Sequence, residues 1–247
     1  MDNIDIKYTA LTDIGKKRQN NEDAHIEFQS INGMVFVVCD GLGGHAAGEY
    51  ASYLATQAIK KKLNEVYYEN PYQALEQSIC FANQTIFEIS FETESHFQGM
   101  ATTVVAALYR SSTFYIANVG DSRAYLFSQK KLQQLTKDHT FLQELIDQGM
   151  PIPKERSSLL SYRNSLRRCV GFHKTVVPQI RQEAIKLQKE DILLLCTDGL
   201  TDMLLDEEIE AILREKKDIE TKANLLIHQA NEKGGNDNIT VTLIEKL

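Results

Sequence analysis

The sequence predicts an α+β protein in which helices pack on antiparallel sheets. Six short runs rich in β-branched or other apolar residues predict strands, and several of them are joined by brief turns. Turns such as Arg110-Ser111-Ser112 are too short to connect parallel strands, which need a dozen or more linking residues. The predicted strands are residues 34–39, 101–109, 113–119, 123–128, 191–196 and 239–244.

Helical patterns occupy separate blocks between and after these strands, as the α+β class requires. Pro71 is placed to open one helix, and Asp206 to cap another. Asp218 can cap a further helix, which Gly234-Gly235 would end. A first helix is predicted from apolar residues spaced three and four apart: Ala51, Leu54, Ala55, Ala58, Ile59 and Leu63.

Composition and charge exclude several classes of protein. Hydrophobic residues make up 43% of the 247 and charged residues 25%, which excludes wholesale disorder. The net charge of −7 disfavours a nucleic-acid partner, because phosphate backbones need a basic surface. The apolar runs are too short to span a membrane, and the acidic start is unlike a secretory signal. We therefore expect a cytoplasmic protein with no membrane span.

Domain organisation is expected to be simple. Neither an internal repeat nor a linker-like tract is visible, so a single domain over residues 1–247 is predicted. Residues 140–175 are polar, have little periodicity and predict a surface insertion, which we call the flap. The flap is locally basic, with Arg163, Arg167 and Arg168 among its cations, and a positive flap would attract an anionic partner. The usual alternative for such a run is a solvated loop.

The four cysteines are expected to be reduced core residues. They are widely separated and form no CxxC pair, so neither a zinc site nor a disulfide framework is indicated. They are Cys39, Cys80, Cys169 and Cys196.

Two apolar runs end in an aspartate followed by glycine. Residues 34–39 lead into Asp40-Gly41, and residues 191–196 lead through Thr197 into Asp198-Gly199. Burying an unpaired carboxylate is costly, so these groups are expected to find cations or hydrogen bonds. A tight hairpin turn is the alternative, and for either Asp-Gly pair alone it is the favoured one.

Further acidic residues favour cation binding over the hairpin-turn alternative. Three further acidic sites also stand at predicted element ends: Glu22-Asp23, Asp121 and Asp237. Taken singly, the first could be a helix cap, the second a turn residue and the third an Asx-turn. Five acidic loci together favour a Mg²⁺ or Mn²⁺ site, since hard cations prefer oxygen ligands. Carboxylate-rich sites with two such ions often serve phosphate-ester chemistry. Arg18 lies near the acidic pair and its guanidinium matches phosphate geometry.

Seven stretches occur in an order typical of one family. They include Asp40-Gly41-Leu42-Gly43-Gly44 and Asp198-Gly199-Leu200. The full set is residues 13–23, 38–44, 99–103, 117–123, 135–139, 196–202 and 235–240. By these residues the sequence resembles the PPM-type, metal-dependent serine/threonine protein phosphatases, also called type 2C, and in particular compact bacterial members. The resemblance covers nearly the whole chain.

This resemblance implies a four-layer α-β-β-α sandwich, in which two antiparallel sheets face each other and helices cover both outer faces. The site would lie in a cleft at one end. Asp40, Asp198 and Asp237 correspond to side-chain metal ligands, and Gly41 to a ligand through its carbonyl. Asp40 corresponds to the carboxylate that bridges two ions.

Other roles also come from the resemblance. Glu22 and Asp23 correspond to acids that hold metal-bound waters, and Arg18 to the arginine that binds phosphate. Asp121 and Asp198 correspond to the pair that holds a third ion in bacterial members. The expected catalytic set is therefore Arg18 with Asp40, Asp198 and Asp237.

The implied activity is hydrolysis of phosphoserine and phosphothreonine on proteins by a metal-activated water, with two core Mn²⁺ or Mg²⁺ ions and room for a third. A monomer acting on phosphorylated proteins, including a serine/threonine kinase, is expected. Leu42 stands where some eukaryotic members have a histidine proposed as general acid. Two alternatives stay open: a phosphatase of small phosphate esters, and a non-catalytic regulatory binding module.

Overall fold

Two antiparallel sheets form the centre of the computed structural model, which describes residues 5–43, 46–92, 97–152, 155 and 161–247. Every strand pairing among these residues is antiparallel, as predicted. The strands are β1 (Ile6–Asp13), β2 (Asp23–Ser30), β3 (Gly33–Leu42), β4 (Ala101–Thr102), β5 (Val104–Arg110), β6 (Thr113–Val119), β7 (Arg123–Ser128), β8 (Lys131–Gln134), β9 (Gln179–Ile180), β10 (Ile192–Cys196) and β11 (Ile239–Lys246).

The sheets differ in strand order. One has the order β1-β11-β10-β7-β8, and the other has the order β2-β3-β5-β6-β9, with β4 paired to β3. The helices are α1 (Ala46–Glu65), α2 (Pro71–Glu92), α3 (Phe141–Asp147), α4 (Asp198–Thr201), α5 (Asp206–Arg214) and α6 (Ile219–Glu232).

Side-chain alternation along β3 shows why the strands stack as a sandwich. Phe36 and Val38 join a core cluster between the sheets that also contains Leu193 and Leu195 of β10. Val37, on the opposite face of β3, joins a different cluster with residues of α1 and α2. Both faces of these strands are therefore buried, which explains their continuous apolar sequence.

Helices cover the outer face of each sheet. Apolar residues of α1 and α2 pack on the β3 sheet, and those of α5 and α6 pack on the β10 sheet. Pro71 begins α2 as predicted, and the Asp218 carboxylate accepts a hydrogen bond from the Thr221 N–H at 2.7 Å, which confirms that cap. The prediction for Asp206 is wrong by one residue, because Leu205 is the N-cap and Asp206 lies in the first turn of α5.

Several elements depart from the sequence prediction. Strands β1, β2, β8 and β9 were not anticipated, and α3 lies within the flap, where no helix was expected. The predicted strand 101–109 is divided at Thr103 into β4 and β5. Thr103 leaves the ladder because its backbone N–H and its hydroxyl both bond to the backbone of Asp40. This break lies beside the acidic residues.

The cysteine expectation is correct for two residues only. Cys39 and Cys196 are buried and unpaired, whereas Cys80 and Cys169 are free but half-buried. Among the described helices, none has the length and apolar character needed to cross a bilayer.

Candidate active site

The acidic residues lie at one end of the sandwich. Asp40 is near the end of β3, and Asp23, the first residue of β2, is its direct partner in the strand register. Asp198 begins α4 two residues after β10 ends. Neither Asp-Gly pair forms a hairpin turn, since Asp40-Gly41 lies within β3 and Asp198-Gly199 within α4. The alternative explanation for these motifs is therefore wrong.

Hydrogen bonds fix the backbone of Asp40. Its N–H donates to Thr103 Oγ1 at 3.0 Å, and its carbonyl accepts from the Thr103 N–H at 2.9 Å and the Thr102 hydroxyl at 2.8 Å. These bonds hold the Asp40 main chain on both sides and so fix the point from which its side chain extends.

Asp23 is held by two hydroxyl groups from the other sheet. Its Oδ2 accepts from Thr197 Oγ1 at 2.9 Å and from Thr240 Oγ1 at 2.7 Å. Burial raises the pKa of Asp23 to about 7, which the two hydroxyl donors oppose and the charges of Asp198 and Asp237 reinforce. Sequence reasoning did not anticipate these threonines.

Burial is the main influence on the electrostatics of the cluster, and repulsion between the acids adds to it. Burial, followed by the charges of neighbouring acids, raises the pKa of Asp40 and of Asp121 well above the ordinary range. Burial also raises the pKa of Asp198 to about 6, with the charges of Asp202 and Asp237 acting in the same direction. Asp198 Oδ1 is buried and lacks a hydrogen-bond partner among the described residues. Such a cluster is stabilised by protons or by cations.

Close backbone approach explains the glycine after Asp40. The Gly41 N–H donates to the Glu22 carbonyl at 3.1 Å. A Cβ on Gly41 would lie 2.2 Å from the Gly48 carbonyl oxygen and 2.5 Å from the Glu22 carbonyl oxygen. No other residue fits between these two segments without moving them. The Glu22 side chain is buried against Gly48, in the first turn of α1, where a negative charge is favourable.

Arg18 and Asp237 form an ion pair, with the guanidinium donating to Asp237 Oδ2 at 2.6 Å. The other oxygen, Oδ1, accepts from the Asn238 N–H at 2.8 Å. The predicted phosphate-binding arginine and the predicted metal ligand are therefore brought together, although they are 219 residues apart.

Asn238 joins the segments that carry these groups, and sequence reasoning assigned it no role. Its side-chain amide donates to the carbonyls of Ile14 and Asn20, each at 2.9 Å, and its Oδ1 accepts from the Glu22 N–H at 2.8 Å. Only 3% of Asn238 is exposed. Its position in the Gly-Asn-Asp-Asn motif is the sequence feature that could have indicated this role.

Asp121 is positioned by a glycine turn and a buried histidine. Gly120 has φ +103°, and a Cβ there would lie 2.6 Å from Thr103 Cγ2. The Gly120 N–H donates to His139 Nδ1 at 3.1 Å, so Nε2 carries the hydrogen that is donated to Gln179 Oε1 at 3.1 Å. This arrangement holds the Asp121 turn against β9.

The flap reaches the acidic cluster through Arg163. Its guanidinium donates to the Thr201 carbonyl at 2.8 Å and lies 3.0 Å from Asp202 Oδ1. Arg167 is paired with Glu144 at 2.8 Å. Two of the cations that were expected to attract a partner are therefore already bound to acids of the same chain.

The residues fit a divalent cation chemically. Within the described ranges, no three histidine, cysteine, aspartate or glutamate side chains are arranged to hold an ion as they stand. Asp237 is engaged by Arg18, so a cation at this carboxylate would share or displace the guanidinium. The carboxylates with raised pKa values and the unpartnered Asp198 Oδ1 are the oxygen donors that Mg²⁺ and Mn²⁺ prefer.

Comparison with known proteins agrees with this geometry. The sequence model described as Protein phosphatase 2C matches residues 15–233. The serine/threonine phosphatase stp of Listeria monocytogenes (strain F2365) is 39% identical over 240 residues, which are 95% of this chain and 94% of that protein. The protein phosphatase PhpP of Streptococcus pneumoniae (strain D39) is 31% identical over 244 residues, covering 97% of each chain.

Solved structures share the whole architecture. The S. agalactiae serine/threonine phosphatase has a TM-score of 0.89 and 31% identity, covering 98% of this chain and 100% of that chain. The catalytic domain of PstP, solved in complex with two manganese ions, has a TM-score of 0.82 and 33% identity, covering 97% of each chain. The four-layer sandwich is thereby confirmed, and the chain belongs to the protein phosphatase 2C family.

Proposed function

We propose that this protein hydrolyses phosphoserine and phosphothreonine on proteins, using divalent cations held by Asp40, Asp198 and Asp237. The observation that carries the proposal is the convergence of crowded carboxylates from distant parts of the chain, with Asp198 Oδ1 unpartnered among the described residues. Arg18 lies beside them. The relatives that support this choice of substrate bear the names of serine/threonine phosphatases.

Bound cations would supply Lewis-acid activation of water and neutralise charge on the phosphoryl oxygens. Arg18 is placed to bind a phosphate oxygen pair, since the N–H groups of a guanidinium that already meets one carboxylate can instead donate to two oxygens of a tetrahedral phosphate. Asp23, with a pKa of about 7, can hold or release a proton near neutral pH at Oδ1, because Oδ2 accepts hydrogen bonds from two threonine hydroxyls. Leu42 has no transferable proton, so the leaving alkoxide would take its proton from water at the cluster.

The ions and partners are part of the same proposal. Two core Mn²⁺ or Mg²⁺ ions are favoured by the oxygen donors and by the two manganese ions of the PstP catalytic domain. A third would be held by Asp121 and Asp198, whose charges already act on each other. Glu22 and Asp23 would hold the waters of these ions. We further propose a monomer that acts in the cytoplasm on phosphorylated proteins, a serine/threonine kinase among them.

Phosphate release from a phosphothreonine peptide, measured with added manganese, tests the assignment. The wild type should turn the peptide over and Asp198→Ala should lose at least about a hundredfold in kcat/KM. Asp147→Ala, which removes an exposed acid of α3, is the matched control and should keep full activity. Equal activity of wild type and Asp198→Ala would contradict the proposal.

Two further measurements address the alternatives. Faster turnover of sugar phosphates than of the peptide would indicate a phosphatase of small esters. Saturable binding of manganese without turnover of either substrate would indicate a regulatory binding module.

A further inference from the structure

A cavity of about 390 Å³ lies between β4 and the last part of the flap. We call it the flanking pocket, and it is lined by Leu42, Ala101, Leu166, Cys169, Phe172 and His173, with Gly99 and Arg167 at its edge. Its volume falls within the range of roughly 300–1,000 Å³ typical of ligand-binding clefts.

The flanking pocket adjoins the acidic cluster at the end of β3. Leu42 directly follows Gly41 and pairs with Ala101 in the β3–β4 register, so the pocket and the cluster share the end of β3. On the opposite wall, burial and the charge of Asp121 raise the pKa of the Cys169 thiol to about 11. A chain segment with its phosphate at the cluster can place a neighbouring residue at this pocket, since consecutive residues are about 3.3–3.6 Å apart in extended chain.

Hydrogen bonds to the rest of the fold hold the flap wall in place. Val170 exchanges two backbone hydrogen bonds with Thr102, at 2.9 and 2.8 Å. The buried side chain of Asn83 in α2 accepts from the Gly171 N–H at 2.8 Å and donates to the His173 carbonyl at 3.0 Å. The wall is thus formed before a ligand arrives, which lowers the entropic cost of binding.

The lining suits an apolar group carried by an anionic segment. Leu42, Ala101 and Leu166 are aliphatic, and Phe172 is 53% exposed, with its ring edge-to-face against His173. Cys169, with its raised pKa, remains a neutral thiol and adds to the apolar lining.

The open side of the pocket favours the same ligand. Among the described residues, no atom would lie within 4 Å of a Cβ placed on Gly99. Two exposed cations flank the lining residues in sequence: Arg168 precedes Cys169, and Lys174 follows His173. Their charges would attract a phosphorylated segment.

From this geometry we propose that the flanking pocket binds an apolar side chain that neighbours the phosphoresidue of the protein substrate, and so selects among phosphorylated sites. This inference rests on the proposed function, because the ligand is the substrate of the adjacent acidic cluster.

A leucine scan of a phosphothreonine peptide tests the inference. A series of otherwise glycine- and serine-based peptides would carry one leucine at each position flanking the phosphothreonine, and kcat/KM for phosphate release would be measured. We expect one position to raise kcat/KM by about tenfold, the discrimination typical of an apolar pocket. Leu166→Trp, which fills the pocket, and Phe172→Ala, which removes a wall, should reduce that preference to within about twofold.

Controls separate this inference from the proposed function. Both variants should hydrolyse p-nitrophenyl phosphate at the wild-type rate, since that substrate has no flanking residue. Phe91→Ala removes a more exposed aromatic side chain, in α2 and not among the residues that line the pocket, and should keep the leucine preference.

Two results would overturn the inference while leaving the phosphatase assignment intact: an active wild type without leucine preference at any position, or a preference that survives both pocket variants. A wild type that turns over neither p-nitrophenyl phosphate nor any peptide would instead refute the proposed function, and the pocket assignment with it.

Discussion

At the scale of single residues, the acidic cluster depends on neutral partners as much as on its carboxylates. Thr197, just after β10, and Thr240 of β11 hold Asp23. Asn238, the residue after Asp237, bonds to Ile14 and Asn20, on either side of Arg18. Each of these polar groups is buried or nearly so. A buried polar group that loses its hydrogen-bond partner destabilises the fold by more than the paired bond stabilises it. These bonds therefore fix the geometry of the site.

Removing Asn238 should therefore destabilise the protein. Asn238→Ala leaves the Glu22 N–H and the carbonyls of Ile14 and Asn20 without their partner. The expected loss is about 2–4 kcal/mol in the free energy of unfolding, measured by urea denaturation. Asn236→Ala changes an exposed neighbour and should cost less than about 0.5 kcal/mol. A loss for Asn238→Ala as small as that of the control would contradict the role given to this side chain.

His139 should make part of the stability depend on pH. Burial lowers its pKa below the ordinary value, and nearby Arg168 and Lys137 act in the same direction, while Gln179 and Asp138 oppose them. In the unfolded chain this histidine takes up a proton below about pH 6.5. In the folded protein the ring stays neutral to a lower pH. The unfolded state then binds more protons, so this stabilisation is present above about pH 6.5 and is lost as the pH falls towards the folded pKa.

Comparison of His139→Gln with wild type isolates that contribution. The free energy of unfolding of each would be measured at about pH 7.5 and about pH 5.5. The variant should lose less stability between the two than the wild type does, even if it is less stable at both. An equal loss in the two proteins would show that His139 is not the responsible group.

At the scale of elements, the last described part of the flap, residues 161–175, is attached to the sandwich at two places. Arg163 bonds to the end of α4 and to Asp202, while Asn83 of α2 bonds to the backbone around Gly171. Gly171 has φ +94°, and a Cβ there would lie 2.1 Å from Ile86 Cγ2. The flap thus rejoins the fold at a position with a strict steric limit.

Gly171→Ala should destabilise the protein far more than alanine at a flap glycine whose Cβ would meet no described atom. Gly149 also has a positive φ, of +65°, but a Cβ there would meet nothing within 4 Å. We expect Gly149→Ala to cost about 1 kcal/mol from backbone strain alone, and Gly171→Ala to cost about 3 kcal/mol or more because α2 must also move. Thermal unfolding of the two variants measures the difference. Equal shifts in melting temperature would mean that the flap is not packed on α2 as described.

At the scale of the whole molecule, two rigid sheets bring together residues that are distant in sequence. The core between the sheets joins β3 and β5 to β10, and the acids stand at the ends of these and neighbouring strands. Without cations, the crowded carboxylates oppose folding, since burial and mutual repulsion raise their pKa values. Ion binding at the cluster is therefore coupled to the stability of the whole fold.

Manganese should stabilise the protein measurably. At a free concentration of a hundred times Kd, one bound ion adds about 2.7 kcal/mol to the free energy of unfolding. Thermal unfolding with excess manganese and with a chelator should show that gain in the wild type. In Asp237→Ala the gain should be smaller by at least about half, because one carboxylate donor is lost. An equal gain in both proteins would place the stabilising ion elsewhere.

The strands that carry the site were predictable because burial on both faces makes β3 and β10 continuously apolar. β1 and β2 were missed since polar residues alternate along them and their burial is partial, a weaker signal. The Asp-Gly motifs pointed to the carboxylates. The contact between Arg18 and Asp237 depends on sheet packing and has no counterpart in local spacing.

Anomalous diffraction from manganese-soaked crystals would locate the cations at the cluster. We expect strong manganese peaks among Asp40, Asp198 and Asp237, with two ions about 3.5–4 Å apart. The Gly41 carbonyl should be among the ligands. Absence of peaks at this cluster, in crystals whose enzyme hydrolyses phosphothreonine peptide in the same manganese solution, would contradict this placement of the cations.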